Sequence, residues 1–379
     1  MRDIPRVVWI LAASRFANAA GSFVYFFLFL YLTGPRGLSL GLAGVIAGGM
    51  GVGMLAGNFT GGWFGDRFGH RRTLLFASGA AGLGTVAIPW LPVPVLAVAV
   101  PLISYGAATA VVAQGALVAV AVPPGERRRA IAITRAAFNA GCVIGPPLGA
   151  LLSTYDFSLL FVIDGVVTLA VRAVTARMLP AEPSTSRAAA RPRALWPCLR
   201  ADRSLLLFLP AVVVVDIVYR QLYSTLPVFL RDQGQPVGLY AALIAAGSGV
   251  ILVLEIPVTL ALGRLPATGI IVAGYGLVAA GFAVFGLGPA LWAAITAMMI
   301  VTAGEILYKT TATARVLDAA PSGLAGRYQG LYSGAATSGT MLAPPLGAMV
   351  YTAAPGLLWP VCAAAAAGAA LLAWASGRV

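Results

Sequence analysis

The feature that most constrains this chain is a series of long apolar runs separated by short polar or Pro/Gly-containing joints. Each run is about 20 to 28 residues long, enough for a helix to cross the ~30 Å hydrocarbon core of a bilayer. The chain is 60% hydrophobic and only 10% charged, a composition whose apolar surface a soluble protein could not bury. The sequence therefore predicts an all-α polytopic membrane protein.

We expect twelve transmembrane helices, here called segments 1 to 12 in chain order. The apolar stretch after Arg2 and Arg6 is longer than the hydrophobic region of a secretory signal, so it is interpreted as segment 1. The predicted segments cover residues 7–32, 39–64, 73–91, 94–121, 130–153, 157–179, 204–230, 237–262, 268–287, 290–316, 326–351 and 355–376.

The formal net charge of +13 is concentrated in every second connection between these segments. The only basic residues in the opposite connections are Arg36 and Arg231. The positive-inside rule then places the basic loops and both termini in the cytoplasm. The arginine run at 127–129 lies in one of these short loops, so nucleic acid is not an expected partner. The predicted location is the cytoplasmic (inner) membrane, with the lipid bilayer as a partner.

An internal repeat indicates two related halves. Residues 129–150 align without gaps on residues 327–348, and both stretches close with Pro-Pro-Leu-Gly-Ala. Because these stretches are segments 5 and 11, we expect two pseudo-symmetric six-helix bundles, residues 1–179 and 204–379, joined by a basic cytoplasmic linker at 180–203. Parallel repeats of this kind typically enclose a substrate cavity near the membrane midplane and work by alternating access.

The connection between segments 2 and 3 reads GWFGDRFGHRR and contains Gly62, Asp66, Arg67, Gly69 and Arg71. It resembles the GxxxDRxG loop, followed by two basic residues, of the major facilitator superfamily. Glycines allow a tight turn there, and arginines can anchor in the headgroup region. The resemblance implies that these five residues gate the cytoplasmic side, with Asp66 facing the start of segment 11.

Segment 5 contains Gly141, Gly145, Pro146 and Gly149 in a GxxxGPxxG pattern. The pattern is similar to the antiporter motif of drug:proton exporters within that superfamily, which favours export. Small residues at this spacing let helices approach closely, and Pro146 permits a bend, so ordinary packing is the alternative interpretation. Segment 4 lacks the arginine that such exporters commonly carry, so their usual proton relay is not expected.

Ionisable residues inside apolar helices are costly unless they are paired or hydrated, and they are therefore candidates for function. Glu305 and Lys309 are four residues apart in segment 10, as are Asp216 and Arg220 in segment 7, so each acid can pair with a base on its own helix. The pairs either only neutralise charge, or an acid exchanges its basic partner for a proton. Glu305 is the preferred proton-coupling residue, with Asp216 and Glu255 behind it.

Other polar residues complete the predicted site. Arg135 in segment 5 and Glu255 in segment 8 lie at similar depths with opposite charges, and we expect them to form an inner gate. Asp164, in peripheral segment 6, is expected to have a structural partner. The candidate substrate-binding residues are Arg15, Asn18, Tyr25, Tyr105, Gln114, Tyr219, Arg220, Tyr223 and Lys309.

Several function classes are excluded. An ATP-driven pump needs a lysine in a phosphate-binding loop, but the only lysine, Lys309, lies inside an apolar helix. One histidine and three scattered cysteines indicate neither an enzyme nor a metal or cofactor site. The sequence predicts a monomeric, proton-coupled antiporter that exports small amphipathic or polar molecules. A proton symporter that imports a nutrient and a non-transporting membrane sensor remain as alternatives.

Overall fold

The structure, a computed structural model, describes residues 4–122, 127–179, 202–262, 265–288, 290–319 and 325–378, and every regular element in these ranges is helical. Two are short 3₁₀ turns, Ile88–Trp90 and Pro355–Leu357. The α-helices are α1 (Arg6–Ala20), α2 (Phe23–Thr33), α3 (Leu40–Phe68), α4 (His70–Ala87), α5 (Val93–Val120), α6 (Arg127–Ser153), α7 (Phe157–Met178), α8 (Arg203–Arg220), α9 (Thr225–Asp232), α10 (Val237–Ala261), α11 (Ala267–Phe285), α12 (Leu291–Asp318), α13 (Ala325–Ala353) and α14 (Leu358–Ser376).

Within the described residues, 11 helical stretches are long and apolar enough to cross a membrane. They include α1 with α2 as one stretch and α8 with α9 as another. Large apolar side chains point outward, with Phe59 61% and Phe76 77% exposed, and lipid tails are the solvent that such side chains match. The chain is a polytopic membrane protein.

The predicted twelfth span, segment 11, corresponds to α13. This helix has 29 residues but is rich in glycine, serine and threonine, and it is not among the 11 stretches. A count of twelve spans and the cytoplasmic position of both termini therefore stay predictions.

Segments 1 and 7 differ from the prediction, because each is interrupted where one continuous run was expected. Gly21 and Ser22 separate α1 from α2, and residues 221–224 separate α8 from α9. At the first break the backbone N–H of Val24 donates to Asp164 Oδ2 at 3.1 Å. Side-chain partners of this kind satisfy backbone groups that a helix interruption would leave unbonded inside a membrane.

Contacts divide the chain into two compact units. Unit 1 consists of Met1–Arg187 and Pro236–Gly249, and unit 2 consists of Ala188–Gln235 and Val250–Val379. The division cuts through α10, whose first half is grouped with unit 1. The predicted linker at 180–203 falls almost wholly outside the described residues, so the predicted domain boundary remains a prediction.

Helix contacts inside the two units follow the same pattern. In unit 1, α1 packs on α6, and α4 packs on both α5 and α7. In unit 2, α8 packs on α13, and α11 packs on both α12 and α14. These three contacts thus recur between the equivalent helices of the two units.

Glycines set the distance between the first and fifth segments of each unit. A β-carbon at Gly141 in α6 would lie 2.6 Å from the Phe16 carbonyl oxygen in α1. A β-carbon at Gly339, which is 198 residues later in α13, would lie 2.6 Å from the Asp216 carbonyl oxygen in α8. Such close approach of backbones is the usual reason for small residues at helix interfaces in membranes.

Gly141→Ala should therefore lower the thermal unfolding midpoint in detergent, because overpacking two backbones costs about 1–3 kcal/mol. Gly115→Ala in α5 is the matched control, since a β-carbon there meets no atom within 4 Å. The control should melt at or above the wild-type temperature, because alanine is the better helix former. Equal midpoints for the two variants would contradict the close contact between α1 and α6.

Candidate functional site

Four charged side chains, here called the charged quartet, lie inside unit 2: Asp216, Arg220, Glu305 and Lys309. Lys309 Nζ is 2.5 Å from Glu305 Oε1, and Arg220 Nε is 3.4 Å from Asp216 Oδ1. Within each pair the two residues are one helical turn apart. Glu305 and Lys309 lie on α12, and Asp216 and Arg220 lie on α8. The structure thus brings together both ion pairs that the i,i+4 spacing predicted.

The two pairs form one electrostatic group. Asp216 interacts electrostatically with both Lys309 and Glu305, and Glu305 interacts with Arg220. Two acids and two bases sum to zero net charge, which is the arrangement that a low-dielectric interior favours. A change of charge at Asp216 or at Glu305 is therefore felt by the other three residues.

Tyrosines connect the quartet to its surroundings. Tyr219 donates its hydroxyl hydrogen to Glu305 Oε2 at 2.5 Å, and its oxygen lies 3.0 Å from the Tyr223 hydroxyl. The Lys309 ammonium stands over the Tyr219 ring, 5.0 Å from its centroid, a cation–π geometry. Glu305 thus shares its two carboxylate oxygens between an ammonium group and a phenol.

Exposure differs sharply across the Glu305–Lys309 pair. The Glu305 side chain is 9% exposed, whereas the Lys309 side chain is 45% exposed. Asp216 is also buried, and its Oδ2 accepts a hydrogen bond of 3.0 Å from the Gly339 backbone N–H in α13. The acids are therefore held by the protein, and the ammonium group is the more accessible partner.

Charge is absent from the matching positions of unit 1. The residues 198 positions before the quartet are Asn18, Ser22, Ala107 and Val111. This is the offset that relates Gly141 to Gly339, two glycines with equivalent packing. The quartet is therefore a property of one half of the repeat alone.

Glu255, the third predicted proton-coupling residue, lies in the part of α10 that belongs to unit 2. Its Oε1 accepts a hydrogen bond of 2.9 Å from the Thr310 hydroxyl in α12. Arg135 is an exposed residue of α6 in unit 1. The predicted pairing of Glu255 with Arg135 stays a prediction.

The predicted substrate-binding residues of unit 1 lie in several different contacts. The Arg15 guanidinium stands 4.6 Å over the Phe138 ring, and Tyr25 is edge-on to its neighbour Phe26. Asn18 Oδ1 is buried and has no hydrogen-bond partner among the described residues. Asn18 Oδ1 is thus an acceptor that a ligand or a bound water could still bond.

Tyr105 and Gln114 are engaged in bonds between helices. The Tyr105 oxygen accepts a 2.9 Å hydrogen bond from Thr60 in α3, and Gln114 Nε2 donates to the Leu11 carbonyl oxygen in α1 at 2.8 Å. Both residues lie in α5, but they bond to different helices. The structure does not bring these two side chains into one group.

The motif loop between α3 and α4 forms a tight turn at Gly69, whose φ of +92° strongly favours glycine. Arg67 lies over the rings of Trp63 and Phe68, and Gly62 has open space beside it. The side chains of Asp66 and of Leu324 to Arg327, at the start of segment 11, lie outside the described part of the chain, so their contact stays a prediction.

Arg71 has a defined role at the end of α7. Its Nη2 donates to the Ala176 carbonyl oxygen at 2.6 Å and its Nε donates to the Leu179 carbonyl oxygen at 3.2 Å. A cation at a helix C-terminus satisfies unbonded carbonyls and interacts favourably with the helix dipole. The motif loop is thereby fastened to the end of α7, the sixth predicted segment.

The segment 5 motif packs on the break between α1 and α2. A β-carbon at Gly145 would lie 3.0 Å from the Ala19 carbonyl oxygen, and one at Gly149 would lie 2.6 Å from the Phe27 ring. Pro146 lies between these glycines inside α6. The predicted close approach of helices therefore occurs at the interrupted part of segment 1.

Gln221 is a site residue that the sequence prediction missed. It fills the break between α8 and α9, where Nε2 donates to the Ala343 carbonyl oxygen at 2.9 Å. Its Oε1 accepts from Ser224 at 3.1 Å and from Thr225 at 2.5 Å. The polar run Gln-Leu-Tyr-Ser-Thr inside an apolar segment was the available signal, because its side chains compete with the backbone for hydrogen bonds.

Comparison with known proteins agrees with this architecture. The family model described as Major Facilitator Superfamily matches residues 11–344, which is most of the chain. The chain belongs to the Major Facilitator Superfamily. It is a membrane transporter of that superfamily.

Individual relatives within the superfamily are distant. An MFS-type transporter of Bacillus subtilis (strain 168), YttB, described as uncharacterized, is 25% identical over 359 residues, which is 92% of this chain and 89% of that protein. The structure of a nucleoside transporter, NupG, has a TM-score of 0.86 at 10% identity, with 98% of this chain and 100% of that chain covered.

Two further structures named for proton or peptide transport share the fold. A D-xylose-proton symporter has a TM-score of 0.79 at 14% identity, with 97% of this chain and 96% of that chain covered. A peptide transporter in complex with alafosfalin has a TM-score of 0.81 at 17% identity, with 99% and 94% covered. At these identities the likeness shows the superfamily fold alone.

Arg71→Ala should destabilise unit 1, because two carbonyl groups at the end of α7 lose charge-assisted hydrogen bonds worth about 1.5–3 kcal/mol each. A lower thermal unfolding midpoint in detergent checks this, with Arg72→Ala as the neighbouring control. If both variants melt at the wild-type temperature, the contact of Arg71 with α7 does not contribute to stability.

Proposed function

We propose that this transporter is a proton-coupled antiporter that exports small amphipathic or polar molecules across the cytoplasmic membrane by alternating access. The observation that carries the proposal is the Glu305 carboxylate, buried and shared between the Lys309 ammonium and the Tyr219 hydroxyl. Buried acids with an exchangeable basic partner are the usual carriers of protons in membrane transport proteins.

Proton binding at Glu305 would change the whole quartet. A proton on the carboxylate removes the negative charge that holds the Lys309 ammonium, and Lys309 is the more exposed partner. The ammonium can then leave the Tyr219 ring and change the charge that a bound substrate meets. Uptake of a proton and the strength of substrate binding are linked in this way.

Substrate would bind next to the quartet, on the aromatic surface of Tyr219 and Tyr223. Arg15 and Asn18 of unit 1 are proposed as additional polar contacts, since Asn18 Oδ1 is buried without a described partner. Asp216 is proposed as the second proton site because it is buried and interacts with both charges of the Glu305–Lys309 pair.

Export is supported by the segment 5 motif, whose glycines pack on the break between α1 and α2. Import by proton symport is the second candidate, and it is supported by the shared fold of the D-xylose-proton symporter. The proposal also includes a monomeric protein in the inner membrane, with both termini in the cytoplasm and a cytoplasmic linker at 180–203 between the two six-helix halves.

Inverted membrane vesicles with an acidic interior distinguish the two directions. Addition of an exported compound from a panel of amphipathic amines, acids and neutral molecules should release protons and raise the internal pH, as read by a pH-sensitive dye. Glu305→Gln should reduce this release to the level of vesicles without the protein, because glutamine cannot carry the proton.

Asp156→Asn is the control for this measurement. Asp156 accepts from the Ser158 backbone N–H at the start of α7, an N-cap role that asparagine also fills. This variant should release protons as the wild type does. Full proton release by Glu305→Gln would remove Glu305 from the coupling mechanism, and substrate-dependent acidification of the vesicles would indicate symport instead.

A further inference from the structure

A cluster of side chains around Arg315 closes one end of unit 2. This end is here called the linker-side end, because α8 begins there directly after the predicted linker. Arg315 Nη2 donates to Ser204 Oγ at 3.0 Å, to the Ser376 carbonyl oxygen at 3.1 Å and to Ser376 Oγ at 3.0 Å. Its guanidinium also lies 4.5 Å over the Phe208 ring. The start of α8 and the ends of α12 and α14 therefore meet at Arg315.

Three polar atoms, one each on α12, α11 and α13, are buried and lack a hydrogen-bond partner in the described part of the chain. They are Arg315 Nη1, the Tyr275 hydroxyl and Thr340 Oγ1. Tyr275 is 0% exposed and Thr340 is 4% exposed. Buried polar atoms are almost always bonded to protein or to ordered water, and an unbonded one costs about 1–3 kcal/mol.

The residues Arg315, Tyr275 and Asp216 lie at increasing depth from this end of unit 2. Arg315 is ~5 Å from the end of α12, Tyr275 is ~12 Å from the start of α11, and Asp216 is ~20 Å from the start of α8 at 1.5 Å per residue. The start of α11 belongs to the same end, because Gly377 lies against Thr268. Tyr275 is therefore placed between the linker-side end and Asp216.

Electrostatic contacts connect the same residues. Tyr275 interacts with Arg315, with Asp216 and with Tyr332. Thr340 directly follows Gly339, whose backbone N–H donates to Asp216 Oδ2. Arg315 in turn interacts with Asp202 at the start of α8, and the negative charge of Asp202 offsets the positive charge of Arg315.

We propose that water bound at Arg315 Nη1, the Tyr275 hydroxyl and Thr340 Oγ1 forms a proton path through unit 2, from the linker-side end to Asp216. The path rests on the proposed proton coupling and supplies its route. The steps are reversible: a hydronium ion at the linker-side end gives its proton to the first bound water, each water passes one proton on, and an Asp216 carboxylate oxygen receives the last. During export the same steps run in reverse and release the proton of Asp216 at the linker-side end, the predicted cytoplasmic side.

Arrival of the proton changes the groups that face Asp216. These are Arg220 on the same helix, Glu305, Lys309 and Tyr308 on α12, and Tyr275 on α11. Neutral Asp216 no longer balances Arg220, so the remaining charges of the quartet sum to one positive charge. A proton that is delivered to Asp216 from one end of unit 2 thus affects Glu305 and Lys309, because it changes the charge balance of the quartet. Tyr275 is a positioning residue on this path, because it acts through water.

The test uses the full chain in lipid nanodiscs without substrate. A jump to acidic pH is followed by time-resolved infrared spectroscopy of the protonated carboxyl band, which is assigned to Asp216 by its loss in Asp216→Asn. Tyr275→Phe and Thr340→Val, which each remove one hydroxyl, should slow the appearance of the band about tenfold, the effect of roughly one lost hydrogen bond on a barrier.

Tyr351→Phe is the matched control, because its hydroxyl donates to Asp232, away from the linker-side end. It should leave the protonation rate unchanged, and all three variants should keep the wild-type thermal unfolding midpoint within about 3 °C, the shift expected for less than about 1 kcal/mol.

Wild-type rates in both Tyr275→Phe and Thr340→Val, or the absence of any Asp216 band, would overturn the path. If the wild-type protein fails in the vesicle export assay but the Asp216 band is still slowed in Tyr275→Phe and Thr340→Val, the result would count against the proposed function alone.

Discussion

The structure of unit 2 depends on the requirement that charges inside an apolar core balance one another. A single charged side chain at the centre of a membrane helix costs about 2.5–3.5 kcal/mol, and removing one partner of a buried pair costs about 3–5 kcal/mol. The four charges on α8 and α12 sum to zero and interact with each other. Any event that neutralises one of them, such as the binding of a proton, must be compensated by movement of the others or by an incoming charge.

The interrupted helices explain how this group is held in place. α8 ends at Arg220, so the carbonyl groups at its C-terminus lie next to a cation that the helix dipole favours. Gln221 then bonds to the Ala343 carbonyl oxygen and joins the break to α13. The corresponding break in unit 1 is joined to α7 by Asp164. Both units thus use a side chain from within or beside the break to hold an irregular backbone that lipid could not solvate.

Some of these features follow directly from the sequence, and others depend on distant residues. The apolar runs predicted segments 6 and 8 within one residue of Phe157–Met178 and Val237–Ala261, because length and hydrophobicity are local properties. The i,i+4 spacing predicted both ion pairs for the same reason. The breaks were missed, since the partner of Val24 is Asp164, 140 residues away.

Polar residues inside predicted helices posed a different problem. Tyr105 and Gln114 were predicted to bind substrate, and their hydrogen bonds to Thr60 and to the Leu11 carbonyl join neighbouring helices. A polar side chain in an apolar helix is required both at a cavity and at a helix contact, so its presence alone does not distinguish the two. Tyr275 and Thr340, whose hydroxyl groups have no partner among the described residues, were equally hidden, because they lie on two different helices, α11 and α13.

The two kinds of acid contact in unit 2 respond to different events. Glu305 and Lys309 lie on one helix, so a rigid movement of α12 leaves their separation unchanged, and only a proton, a ligand or a side-chain rotation can part them. Glu255 bonds to Thr310 across α10 and α12, so a sliding of these helices breaks this contact without any change of charge. The charged quartet is thus suited to sensing protons and ligands, whereas Glu255 is suited to sensing helix position. A transporter needs both, because chemical binding must be converted into movement of its helices.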